Sequence, residues 1–125
     1  MAHMKDRKYV YSLKDLPYTY LTKESRSKFV LGDKTLVSFI ENPPGAEFPS
    51  HAHDCEQILI ILEGSEEHTV GGQTIHMEAG DVCVHPANVE HGGFTKTGFK
   101  GIDIFSPPRD SHVDLMRKQG LLVEE

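Results

Sequence analysis

With 125 residues, 38% of them hydrophobic, the chain has material for one modest core and not for two. A formal charge of -6 leaves no basic face for neutralising phosphates, which excludes a general nucleic-acid binder, and any anionic ligand needs locally placed Arg or Lys. No apolar run approaches the roughly 20 residues that span a bilayer, and the N-terminus lacks a signal-like apolar core, so a cytoplasmic address and no membrane partner are expected.

Met1, Ala2 and His3 ahead of Met4 read as a cloning remnant, which sets His3 aside from the chemistry. Residues 1–25 form a polar lead-in, and residues 26–125 a single domain. The lead-in carries Tyr9, Tyr11, Tyr18 and Tyr20, too many aromatics for a plain disordered tail; it is either loosely held or paired across a dimer. Short β-rich runs then recur between turn residues: Lys28 to Leu31, Thr35 to Glu41, Gln57 to Leu62, Glu66 to Val70, Gln73 to Met77, Val82 to His85, and Gly101 to Phe105. Gly71 and Gly72 mark a two-residue hairpin, while Asn42 to Gly45, Gly80 with Asp81, and Pro107 with Pro108 break the ladder elsewhere. This rhythm predicts an all-β, antiparallel sandwich or barrel. From an N-cap at Asp110 or Ser111, the run Val113, Leu115, Met116 closing at Gly120 predicts one short C-terminal helix.

Both faces of the run from Gln57 are apolar: Leu59 and Ile61 fall on one, Ile58, Ile60 and Leu62 on the other. A small barrel covers only its inside, so the outer row calls for a second sheet or a second subunit, and a homodimer is expected. Cys55 and Cys83 read as two buried thiols rather than a disulfide.

Residues two or four apart on a strand share a face, so His51, His53 and Gln57 are read together, and His91 joins them from a later stretch. On a regular strand Glu56 points the other way; a bulge would reverse that choice. Imidazole and amide donors suit borderline divalent ions such as Zn, Ni, Cu, Mn or Fe(II), and four such ligands leave positions open for substrate or water. Because none of them is charged, the ion keeps its full positive charge and favours an anionic small molecule. His68, His76, His85 and His112 are read as satisfied or exposed rings, with His85 held in reserve as a cavity-lining residue.

Gly45-x5-His51-x-His53-x3-Gln57-x6-Gly64 and Gly80-x5-Pro86-x-Asn88-x2-His91 resemble the two consensus motifs of the cupin superfamily. The resemblance implies a small antiparallel jelly-roll β-barrel with the metal at its mouth. Gln57 stands where Glu is more usual, Asn88 where Gly is, and Thr95 where Asn is common; the first departure favours a non-oxidative subgroup. The segment from Ile102 to Asp110, with Gln57 and the apolar run after it, resembles small single-domain cupins of the KdgF type, which open the ring of unsaturated monouronates from pectin or alginate breakdown. On that resemblance the metal and Arg109 hold the substrate carboxylate, Phe105 packs on the sugar ring, and Asp103 moves the proton. Asp103 and Phe105 share one strand face, and an acid between Ile102 and Ile104 is costly to bury without a task. Two other classes stay open: a metal-dependent dioxygenase, which oxygen uptake with bound iron would reveal, and a non-enzymatic small-ligand module, in which replacing Asp103 changes affinity alone.

Overall fold

Alternation of side chains across a pleated sheet sets the architecture of the computed structural model, which describes residues 1–125. Strands β1 (Ala2–Met4), β2 (Thr19–Tyr20), β3 (Arg26–Leu31), β4 (Leu36–Asn42), β5 (Glu47–His51), β6 (Glu56–Val70), β7 (Gln73–Glu78), β8 (Val82–His85), β9 (His91–Phe94) and β10 (Phe99–Ser106) precede helix α1 (Asp110–Lys118) and β11 (Leu122–Glu124). Strand β3 buries Ser27, Phe29 and Leu31, and β4 buries Leu36, Ser38, Ile40 and Asn42, with less buried residues between.

All strand pairs are antiparallel, and the main sheet runs β2-β3-β4-β10-β6-β9-β5, with β7 and β8 also paired to β6. The 15-residue β6 therefore serves both halves of a curled cup, meeting β8 and β10 first and then β7 and β9. Its register slips where Lys100 pairs with Glu63 but Gly101 with Ile61. That bulge resets the alternation: Gln57, Leu59 and Ile61 are buried before it, Glu66 and His68 after it. Leu62 is the extra residue; two positions on, Gly64 has φ +82, and a Cβ there would stand 2.0 Å from the Gly98 carbonyl oxygen, so only glycine fits.

The predicted strands all occur, but Gln57–Leu62 and Glu66–Val70 are one strand, because the bulge bends the ladder without breaking it. Strands β5 and β9 carry no strand signature, since the first contains Pro49 and the second reads His-Gly-Gly-Phe. The glycines allow close approach: a Cβ on Gly92 would meet the Phe48 carbonyl oxygen at 2.6 Å. In the lead-in, β2 pairs with β3, and β1 pairs with β11 through Ala2–Glu124, His3–Val123 and Met4–Leu122. Met4 is buried with Phe29, Leu31, Leu36, Cys55, Phe105, Val113 and Met116. A second apolar cluster holds Ile40, Leu59, Ile61, Met77, Cys83 and Phe99. Along β10 the inward row runs Phe99, Gly101, Asp103, Phe105, so its two aromatic ends belong to different clusters and the carboxylate lies between them.

Helix α1 forms as expected, with Arg109 rather than Asp110 or Ser111 at its N-cap. Asp110 in its first turn and Arg117 and Lys118 in its last complement the helix dipole, and Gly120 at φ +77 ends it. It docks through His112, Val113 and Met116. The His112 ring lies 5.1 Å from that of Phe105 and 5.3 Å from that of Phe29, and its Nδ1 has no partner. Burial pushes its pKa down to about 3. The folded chain thus keeps His112 neutral while the unfolded chain takes up a proton below about pH 6.5, so this stability is full above that pH and is lost toward pH 3. In metal-free protein, the fall in unfolding free energy between about pH 7 and about pH 5, measured by urea titration, should be smaller by about 2 kcal/mol in His112→Leu. An equal fall in both proteins would refute the neutral, buried assignment.

Candidate functional site

His51 and His91 stand opposite each other in the β5–β9 ladder, while Gln57 lies two residues into the central strand β6. His53 is in neither strand: β5 ends at His51, and residues 52–55 form the connection to β6. The common orientation of His51, His53 and Gln57 therefore comes from that connection and not from the alternation of one strand. The three rings gather closely, with centroids 4.4 Å apart for His51 and His91, 4.8 Å for His53 and His91, and 5.8 Å for His51 and His53. One nitrogen from each lies within 4.8 Å of the others.

The tautomers follow from the backbone. Nδ1 of His51 lies 2.9 Å from the Pro49 carbonyl oxygen, that of His53 2.9 Å from the Cys55 carbonyl oxygen, and that of His91 3.0 Å from the Val89 carbonyl oxygen. A carbonyl only accepts, so each Nδ1 carries the hydrogen and each Nε2 keeps a bare lone pair. The buried Nε2 of His91 has no partner. Gln57 is fixed just as firmly: its amide nitrogen donates to Asp103 Oδ1 at 2.7 Å, which turns Oε1 to within 3.0 Å of His53 Nε2. Two acceptors then face each other, an arrangement that a cation satisfies and a hydrogen bond does not. Three imidazole nitrogens and one amide oxygen fit a borderline divalent ion with open positions. Burial lowers the pKa of His51, and that of His91 to about 4, keeping both rings neutral and able to ligate near neutral pH.

Beside these donors lies a cavity of about 370 Å³, lined by His51, Gln57, His91, Asp103, Phe105 and Arg109. His53 is the one predicted ligand outside that lining. Burial pushes the Asp103 pKa up to about 6, against the hydrogen bond from Gln57, so its proton is exchangeable near neutral pH. The Arg109 guanidinium lies 5.6 Å from the Phe105 ring centroid, with Nε donating to Ser111 Oγ at 3.1 Å. The cavity is thus bounded by a cation, an aromatic ring and a partly protonated acid. A second depression of about 380 Å³ near Arg26, Glu41 and Lys100 contains none of these imidazoles.

Two neighbours, Glu66 and His68, were given no role by the sequence pattern, and a third, His85, was held only in reserve. Glu66 and His68 also line the cavity, and His85 stacks on His91 with centroids 4.3 Å apart and planes 28° apart. The readable signal was Gly64: a glycine inside a strand pattern marks a bulge, and a bulge turns even-numbered residues inward.

A β-cup that gathers bare imidazole nitrogens beside a cavity is a small barrel whose donors could hold a metal ion. The sequence model of the cupin domain matches residues 38–100, and the chain belongs to that family. An RmlC-like cupin from Shewanella frigidimarina is 25% identical with TM-score 0.80, over 85% of this chain and 96% of that one. KdgF from a Halomonas species is 22% identical with TM-score 0.78, over 85% of this chain and 99% of that one, which is a likeness of fold. The polyketide cyclase RemF from Streptomyces resistomycificus shares the fold at 19% identity and TM-score 0.72, over 82% of each chain. Uncharacterized protein y4oW from Sinorhizobium fredii is 37% identical over 60 residues, which are 45% of this chain and 27% of that protein's length.

The Gln57–Asp103 contact makes a prediction about metal affinity. Asp103→Ala frees the amide to turn and should weaken divalent-ion binding by about 10-fold or more, as loss of an outer partner usually does, whereas Asp103→Asn keeps an acceptor for Gln57 and should bind nearly as the native chain does. Calorimetric titration of both variants checks this, and equal affinities would disprove the orienting role.

Proposed function

We propose that the chain is a metal-dependent enzyme acting on a small anionic sugar acid, opening the ring of an unsaturated monouronate and completing its tautomerisation. The observation that carries this reading is Asp103, a buried carboxyl group on the cavity wall with its pKa raised to about 6 beside Arg109 and Phe105. An acid and a base within the same pH range are what a proton transfer between two positions of one substrate requires. The KdgF resemblance of residues Ile102 to Asp110 supports the substrate class.

In this reading His51, His53, Gln57 and His91 hold a divalent ion, which would supply positive charge to the substrate's oxygens. Arg109 pairs with the carboxylate, and Phe105 packs against the ring face and keeps water from it. Asp103 takes the proton of the anomeric hydroxyl as C1 becomes an aldehyde and the C1–O5 bond breaks. The ring oxygen is left as an enolate on C5. Return of a proton to C4 converts that enolate to a ketone, so the whole change is an isomerisation with no co-reactant.

The test follows the loss of ultraviolet absorbance of a 4,5-unsaturated uronate monomer. The protein should exceed the spontaneous rate, lose that excess to a chelator, and regain it with a divalent ion. Asp103→Asn should lower turnover by about 10²-fold while retaining metal, since the amide still accepts from Gln57 but moves no proton. A native rate equal to the spontaneous one would reject the assignment.

We further infer that the working form is a homodimer. Leu62, Val82 and Val84 are 51%, 58% and 52% exposed on the outer face of β6 and β8, beside the partly buried Ile58 and Ile60. Apolar side chains grouped in this way are covered in stable proteins. Sedimentation velocity at micromolar concentration should give a dimer, and Val84→Asp a monomer of unchanged secondary structure. A native monomer would count against the inference.

A further inference from the structure

Next to His91 the interior holds a second group of donors that the proposed reaction does not use. Cys83 and His85 alternate inward along β8, and Glu66 and His68 point inward from β6 beyond its bulge. All four are buried, at 9%, 0%, 3% and 4% exposure. One donor atom each from His68, Cys83 and His85 lies within 4.8 Å of the other two.

Their donors converge in a way that points to a ligand. Glu66 Oε1 lies 2.8 Å from His68 Nδ1 and accepts its hydrogen, which leaves His68 Nε2 bare. That lone pair meets His85 Nε2. Nδ1 of His85, a residue with no exposed surface, has no partner at all. An ion shared by the two rings would lie on their Nε2 edges, so the support for a ligand is the convergence of His68, His85 and Cys83 and not the free Nδ1. The Cys83 thiol makes one long hydrogen bond, of 4.0 Å, to the Val84 carbonyl oxygen. A carboxylate holding Nδ1 of a histidine whose Nε2 faces a second imidazole and a thiol is the usual outer support of a metal ligand.

We propose that His68, Cys83 and His85, oriented by Glu66, form a second metal site selective for a thiophilic divalent ion, zinc above all. The two sets of donors differ in kind. His51, His53, Gln57 and His91 are all neutral and suit a harder or more reactive ion. The second set includes a thiolate, which cancels part of the ion's charge and favours zinc over manganese or magnesium. Glu66 and His68 line the cavity, so an ion reaches the site from solvent and takes its fourth ligand from water. His85, stacked on His91, forms the wall shared by the two sites. Binding releases the Cys83 thiol proton to solvent.

Cobalt(II) is the probe, because thiolate ligation gives near-ultraviolet charge-transfer absorption that nitrogen and oxygen ligands do not. Cys55 is controlled for, since its sulfur lies 3.3 Å from His53 Nδ1. Metal-free native protein and Cys55→Ser should both develop the band, and Cys83→Ala should not. Calorimetric titration with zinc should give two ions per native chain and one in Cys83→Ala. The paired replacement His51→Ala with His53→Ala should keep one zinc and the cobalt band, and that result stands whether or not the uronate reaction is found. Absence of the band from native protein, its persistence in Cys83→Ala, or a single zinc lost with His51 and His53 would each overturn the proposal.

Discussion

The 2.7 Å hydrogen bond from the Gln57 amide to Asp103 decides which way the site faces. A free glutamine amide turns easily and offers a donor or an acceptor; this one is held with its oxygen toward His53, because the carboxylate accepts only an N–H. Backbone carbonyls at Pro49, Cys55 and Val89 do the same for the three imidazoles. Four lone pairs consequently converge without any charged ligand. The bond also acts on Asp103 in return: burial alone would raise its pKa further, and the amide limits that rise to about 6. Ligand orientation and proton affinity are thus two consequences of one contact.

The bulge in β6 has comparable reach. A strictly alternating 15-residue strand presents one parity to the interior along its whole length; β6 presents odd positions through Ile61 and even positions from Glu66. Strict alternation would expose Glu66 and His68 and bury Glu67. Instead the first half of the strand supplies Gln57 to the predicted ligand cluster, and the second half supplies the polar wall across the cavity. Gly64 makes this possible, because its φ of +82 and its contact with Gly98 exclude any side chain.

Much of the site was legible because its signals are local. His51, His53, Gln57 and His91 fall at fixed offsets from turn-forming glycines and Pro86, and the structure does bring those four together. Asp103 and Phe105 lie on one face of β10, where period-two reading puts them. Strand alternation alone does not account for the first three, since a connection rather than a strand orients His53. What stayed illegible depends on partners distant in sequence. Strands β5 and β9 have almost no strand propensity, and their pairing with each other and with β6 makes them strands. His68 reads as an ordinary ring, and His85 as no more than a reserve cavity-lining residue, because their contact lies across strands and beyond a register slip that no local pattern displays.

Burying this many imidazoles has an energetic consequence that ties the site to the fold. His85, His91 and His112 are held neutral, with pKa values lowered by burial to about 3, about 4 and about 3. Each therefore favours the unfolded chain as pH falls below about 6.5. The unpartnered nitrogens at His85 and His91 add a further penalty of about 1–3 kcal/mol each, the usual cost of a buried polar group without a partner. An apolar core of two small clusters has little reserve against such costs. An ion that ligates the His91 lone pair would remove its share of the penalty, and because protons compete for the same nitrogen, its stabilisation of the folded chain would weaken as pH falls toward about 4. The donors placed at the cavity are then also donors whose occupation would help to hold the cup together.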